Sequence, residues 1–219
     1  MITLNDVKNN EEVKTYMQQG DKFLGSMGFT EHSLRHATIV SNIASDILKK
    51  LGYSDREVEL AAIAGFLHDI GNVVSRHDHG QTGAILAMRI LKEMGMKYDE
   101  IAYIASAIGN HEEEYGHPVN DIAAALIIAD KTDVHRGRVR NKEFATFDIH
   151  DRVNYAAERS EVEIIKDERI IRLNLKINIE ICPVMEYFEI FLARMMMCRK
   201  AAAFLNTNFQ LVINDARLL

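Results

Sequence analysis

The 219-residue sequence predicts a mainly α-helical protein that ends in a small α+β appendage made of a hairpin, a helix and a strand. Three observations carry this reading. Apolar residues recur at three-to-four spacing through roughly the first 160 residues, the period of one buried helix face. Proline, which interrupts helices, occurs only at Pro118 and Pro183. Beyond about residue 160 the spacing switches to alternation, the period of a half-buried strand. The expected division is a helical domain over 1–158 and a small α+β subdomain over 159–219.

Taken in order, a first helix is expected over about 11–17, and a second from about Thr30 to Lys50, stopping at Gly52. Ser54 and Glu57 stand three apart and form a capping box for a third, because the serine oxygen accepts from the Glu57 amide while Glu57 reaches back. That helix is expected to end near His68 and Asp69, with Gly71 taking the left-handed conformation that terminates it. A fourth helix begins near His79 and runs through Ile85, Met88 and Leu91 towards Gly95, and a fifth spans about Tyr98 to His111. Asn120 or Asp121 caps a sixth, whose unbroken apolar run from Ala123 to Ala129 predicts burial on nearly all sides. In the appendage, 162–167 and 170–177 alternate and form the hairpin. Pro183 opens an apolar helix reaching Phe204, and 209–213 supplies the last strand.

Apolar residues make up 47% and charged residues 26%, ordinary globular proportions that exclude a disordered or fibrous class. The apolar stretches break well short of the ~20 residues of a membrane span, and the polar, acidic residues 1–21 do not resemble a secretory signal. Two cysteines, Cys182 and Cys198, are too few for a disulfide framework, so a cytoplasmic location is expected. A formal charge of −6 gives no basic surface for general nucleic-acid binding. The alternating strands could expose an edge to a second copy, so a homodimer is a possible assembly.

All nine histidines fall within the first 150 residues. His36, His68, Asp69, His79, His111 and Asp130 lie at predicted helix ends or on helix faces, and only a bundle can bring such residues from separate helices to one point. Neighbouring helical residues differ by about 100° in direction, so His68 and Asp69 can share a centre only beyond the end of their helix. The two carboxylate oxygens of Asp69 would let it bridge a pair of ions.

The segment Gly65-Phe66-Leu67-His68-Asp69-Ile70-Gly71 resembles the signature of the HD superfamily of metal-dependent phosphohydrolases. Arg35-His36-Ala37-Thr38 is similar to the superfamily's first histidine, and Ala129-Asp130-Lys131 to its final aspartate. His79-Gly80-Gln81-Thr82-Gly83-Ala84 and Asn110-His111-Glu112 are similar to two further histidines of a two-metal subset. The resemblance implies an HD-domain helical bundle in which His36, His68, Asp69 and Asp130 hold one divalent transition metal, and Asp69, His79 and His111 a second. Iron or manganese is favoured, with zinc, cobalt or nickel compatible with nitrogen and oxygen donors. The implied reaction is attack of a metal-held hydroxide on the phosphorus of a small phosphorylated substrate, expected to be a nucleotide. Asn72 after Gly71, and the lack of a Gly-Tyr-Pro element, set the chain apart from the cyclic-dinucleotide phosphodiesterase branch. The ten residues from Asp69 to His79 also differ from the spacing in the diadenosine tetraphosphate branch.

Asp69, His68 and Lys131 are therefore the expected catalytic residues. Lys131, Arg136 and Arg76 are the expected substrate contacts, since a guanidinium donates paired hydrogen bonds to phosphate. His77 and His117 are close enough in sequence to take the places of His79 and His111, and His32 is expected as a supporting residue one turn before His36. Two other functions compete with catalysis: a module that binds and senses a nucleotide or anion, and a scaffold with structural histidines.

Overall fold

Capping side chains set most of the helix boundaries in the structure, a computed structural model that describes residues 1–219. Helix α1 (Leu4–Asn9) starts at a Thr3/Asp6 capping box, and Asn10 both ends it and caps α2 (Glu11–Ser26). Ser33 caps α3 (Leu34–Leu51), which closes on left-handed Gly52, and the Ser54/Glu57 capping box opens α4 (Asp55–Leu67). Then follow α5 (His79–Glu93), α6 (Tyr98–Gly109), and α7 (Asp121–Lys131), whose N-cap is Asn120. The short α8 (Ile149–Ala156) leads into β1 (Ala157–Ile165) and β2 (Ile170–Ile177), and the chain ends with α9 (Val184–Phe204), β3 (Asn208–Ile213) and β4 (Ala216–Arg217). The fold is mainly α with a small C-terminal sheet, as the sequence predicts.

Helix α7 is central: from Ala123 to Ala129 every residue is fully buried, and it packs on α3, α4, α6 and α9. Helices α3 and α4 lie unusually close because Gly65 has no side chain. A Cβ there would sit 2.8 Å from the Ser41 Cα, and the Ser41 hydroxyl donates to the Ala62 carbonyl at 2.7 Å. In the sheet, ordered β1-β2-β3-β4, β1 pairs antiparallel with β2, while β3 lies parallel to β2 after the α9 crossover. One apolar core runs without a break from Val7 through α7 to Ile213, so α9 and the sheet rest on the helical bundle and are not hung from it. No helix is long and apolar enough to cross a membrane.

Several local expectations differ from what is seen, among them β1, which spans Ala157–Ile165 where alternation predicts 162–167. The first helix is longer than expected and is preceded by α1, because Thr3 and Asn10 supply caps that hydrophobic spacing alone does not reveal. The second starts at Leu34, where Ser33 can cap it, and not at Thr30. Gly71 is not left-handed. The chain passes from α4 through His68 and Asp69 into a 3-10 turn over Ile70–Val73, and Gly71 is needed for close approach, since a Cβ there would meet the His79 carbonyl oxygen at 2.0 Å.

Candidate metal centre

The ends of five helices deliver the six candidate ligands to one buried point. His36 lies in the first turn of α3; His68 and Asp69 just beyond α4; His79 at the start of α5; His111 just beyond α6; Asp130 in the last turn of α7. His36, His68, Asp69, His79 and His111 are each at most 5% exposed. His77 and His117, the sequence alternatives, are exposed.

The imidazole Nδ1 atoms all point away from the centre and are satisfied there. His68 donates from Nδ1 to the Gly65 carbonyl at 2.8 Å and His111 to the Ile108 carbonyl at 2.6 Å. His79 Nδ1 faces the Arg76 carbonyl at 3.1 Å and Glu112 Oε1 at 2.6 Å, and His36 Nδ1 faces Asp133 Oδ2 at 2.7 Å. A carbonyl or an ionised carboxylate can only accept, so these rings carry their proton on Nδ1 when neutral, and each neutral ring presents its Nε2 lone pair inward.

The inward atoms crowd together. His36 Nε2 lies 3.2 Å from His68 Nε2, and His79 Nε2 lies 3.1 Å from His111 Nε2. Asp69 stands between the pairs, with Oδ2 at 3.3 Å from His68 Nε2 and Oδ1 at 3.3 Å from His79 Nε2. Asp130 Oδ1 lies 3.4 Å from His36 Nε2 and 3.6 Å from His68 Nε2. The atoms of His36, His68 and Asp130, and separately those of His68, Asp69 and His111, lie within 4.8 Å of one another, as ligands of a common cation do.

Whether a cation fits can be judged from this geometry. Facing lone pairs repel unless a proton or a metal lies between them. Asp69 Oδ2 is also buried with no hydrogen-bond partner, a costly arrangement for a carboxylate oxygen in a protein interior. Imidazole nitrogen and carboxylate oxygen without thiolate suit first-row divalent metals. The residues therefore fit the group.

The potential at the centre agrees. Burial opposes charge on His68, yet the Asp69 and Asp130 carboxylates overcome it and lift its pKa to about 10. His111 goes the other way, pushed to about 3 by burial and by positive charge on His68, His79 and Lys131. Burial also disfavours the Asp69 and Asp130 carboxylates, but His68 and His32 beside the first, and Lys131, His36 and His68 beside the second, hold both well below the usual carboxylate range. The Asp69 and Asp130 charges thus outweigh burial at His68 but not at His111.

A ring of supporting residues fixes the candidates. Asn72 Nδ2 donates to Asp69 Oδ1 at 2.8 Å. Buried Lys131 lies 2.7 Å from Asp130 Oδ2 and 3.1 Å from Glu113 Oε1, so its ammonium is already engaged by protein carboxylates. Asp133, brought down to about 2 by the His36 bond and by Arg138 and Arg35 against the cost of burial, keeps its charge to orient His36. Asp133→Asn should lower metal affinity about 10- to 100-fold, as loss of a ligand's outer hydrogen-bond partner typically does. Metal titration of the variant checks this, and unaltered affinity would show that His36 needs no such anchor.

Beside the centre opens a cavity of about 310 Å³ whose lining includes Asp69, His79, His111, Asp130, Lys131 and Arg76. His32, half-buried, also lines it, with its ring 5.7 Å from that of His36. Arg136 does not line the cavity. Its guanidinium lies over the Tyr155 ring at 5.5 Å and 3.5 Å from Glu158, because the 3-10 turn over Arg136–Arg138 points it outward and turns Arg138 in. Sequence reasoning also missed Asp133, Glu112, Arg194 and the α8 residues Asp151 and Asn154. The first two stand beside motif residues at Asp130 and His111; nothing local marks the others.

Residues 29–135 match the family model of the HD domain. Over 195 residues the chain is 29% identical to an uncharacterized protein of Methanocaldococcus jannaschii, covering 78% of this chain and 74% of that one. It is 31% identical over 102 residues to ribonuclease Y of Lawsonia intracellularis, covering 47% of this chain and 18% of that protein. With ribonuclease Y of Streptococcus agalactiae serotype III it shares 28% over 130 residues, covering 58% and 23% respectively. The chain thus spans less than a quarter of the length of either ribonuclease Y. A solved structure, that of a predicted HD superfamily hydrolase from an uncultured Thermotogales bacterium, superposes with a TM-score of 0.45 at 24% identity, over 57% of this chain and 67% of that one.

Proposed function

Because this chain belongs to the HD superfamily through residues 29–135, we propose that it is a metal-dependent phosphohydrolase that cleaves a phosphate ester or anhydride of a small molecule, namely a nucleotide. The observation that carries the reading is the convergence of four imidazole Nε2 atoms on the Asp69 carboxylate, whose Oδ2 has no hydrogen-bond partner. His36, His68, Asp69 and Asp130 would hold one divalent metal, and Asp69, His79 and His111 a second, with iron or manganese favoured over zinc, cobalt or nickel. Metals so held acidify water to near-neutral pKa and neutralise charge developing on phosphoryl oxygens.

The chain's own residues do the rest. The Gly65 and Ile108 carbonyls, Asp133 and Glu112 lock the imidazoles in the orientation that aims Nε2 inward. Lys131 holds Asp130 in place and acts through it, since its ammonium has two carboxylate partners. Arg76 lines the cavity only 4.0 Å from Asp69 Oδ1 and is the near substrate contact.

The cavity supports a small, polar substrate. Its volume, about 310 Å³, is at the low end for ligand pockets, and Met27, Phe29 and Phe191 are the only apolar side chains in its wall. Asp148, Asp151 and Asn154 of the α8 region line it too and could accept from sugar hydroxyls or base amino groups. Ribonuclease Y is by name an enzyme of RNA, so an internucleotide phosphodiester belongs among the bonds to test.

The test is a hydrolysis panel with manganese- or iron-supplemented protein: nucleoside mono-, di- and triphosphates, dinucleoside polyphosphates, cyclic dinucleotides and a short oligoribonucleotide. Metal-dependent release of phosphate or nucleotide from one class supports the reading. Tight nucleotide binding with no turnover on any of them would instead make the protein a sensor.

A further inference from the structure

We propose that Arg194, contributed by α9 from outside the HD domain, is a substrate-binding residue that works with Arg76 as a two-point clamp on the phosphoryl oxygens of the substrate, so that the C-terminal subdomain completes the active site. The proposal rests on the phosphohydrolase reading above and extends it to a residue that the HD match does not reach.

Both arginines line the cavity that opens on Asp69, Asp130, His79 and His111. Each rests on an aromatic ring that lines the same cavity: Arg194 Cζ lies 4.7 Å from the centre of the Phe191 ring, and Arg76 Cζ lies 5.7 Å from that of Phe29. A ring under a guanidinium holds it by cation–π attraction and leaves its edge free to donate.

The other cations of the wall are held by several protein acceptors each. Lys131 is held by Asp130 and Glu113. Arg138 is buried and donates to the Asp133 and Glu31 carbonyls at 2.9 and 3.1 Å. Arg194 makes its closest approach to a carboxylate through Nε, 2.7 Å from Glu113 Oε1, and pairs with no second carboxylate. The same Glu113 oxygen also serves Lys131, so it is shared between two cations and holds Arg194 less firmly than a carboxylate of its own would.

Helix α9 presents Arg194 rigidly. Tyr187, Phe191 and Met195 are buried to within 2% and anchor the helix against the bundle on either side of the arginine. Phosphate fits this arrangement because two forks offering terminal N–H pairs can engage several of its oxygens together, which a carboxylate ligand could satisfy only in part.

The experiment is calorimetric titration of inorganic phosphate into the manganese-loaded full chain, for the parent, Arg194→Gln and Arg194→Lys, with metal content and unfolding midpoint measured for each. Loss of charge-assisted hydrogen bonds should weaken phosphate binding about 10- to 100-fold in Arg194→Gln. Arg194→Lys should recover only part of it, because a point charge cannot reproduce the fork, and metal content and midpoint should match the parent. Phosphate affinity in Arg194→Gln equal to the parent's overturns the clamp and leaves the phosphohydrolase reading standing. Reduced metal content in Arg194→Gln also overturns it, because Arg194 would then act through Glu113, Lys131 and Asp130. A parent protein that takes up no metal and binds no phosphate overturns both.

Discussion

Asp69→Asn is expected to abolish turnover and to strip metal from the protein while leaving the fold in place. The substitution keeps the shape of the side chain, and its amide oxygen can still accept from Asn72, so packing beyond α4 is preserved. What it removes is the one carboxylate that stands between the two histidine pairs, along with the buried Oδ2 that has no hydrogen-bond partner. If that oxygen is a metal ligand, several kcal/mol of transition-state stabilisation go with it, roughly a thousandfold or more in kcat/KM. Elemental analysis beside steady-state kinetics reads both losses. Parent-like metal content with a rate within about tenfold of the parent would remove Asp69 from the centre of the account.

The second large effect concerns how the fold holds the site. Gly71→Ala places a methyl group 2.0 Å from the His79 carbonyl oxygen, 2.6 Å from the Gly83 amide nitrogen and 2.7 Å from the Thr82 hydroxyl. Two of those atoms are backbone of α5, so the methyl fits only if the N-terminal end of that helix moves away, and His79 is its first residue. Overpacking of this kind typically costs about 1–3 kcal/mol, which in a chain of this length lowers the unfolding midpoint by about 2–12 °C. Because the displaced element carries a candidate ligand, metal affinity should fall as well. A Gly71→Ala protein with parental midpoint and parental metal affinity would show that α5 yields without cost.

The helical architecture is legible in the sequence because its signals are local. Ser54 and Glu57, Asn120, and the apolar run through α7 each act within a turn or two of themselves. The alternation of β1 and β2 is just as local, and the two strands pair as an antiparallel hairpin. The site is legible to the extent that motif residues carry it: His36, His68, Asp69, His79, His111 and Asp130 do meet. Gly71 marks the limit of local reasoning, since the same residue type serves a helix stop or a close approach, and only the position of α5 tells which. The cavity wall is the part that spacing cannot supply. Arg194 lies 64 residues beyond Asp130 and reaches the site only because α9 packs against α7. Arg136 and Arg138 look alike in sequence, yet a single 3-10 turn sends one to Tyr155 and the other into the cavity.

The central claim is that the six convergent side chains hold metal, and the most direct test is anomalous diffraction from crystals of the protein grown with manganese, recorded where manganese scatters anomalously. The account predicts one peak among His36, His68, Asp69 and Asp130 and a second among Asp69, His79 and His111. Fully ordered side chains at these positions with no anomalous peak between them, in a crystal shown by fluorescence to contain manganese, would contradict it.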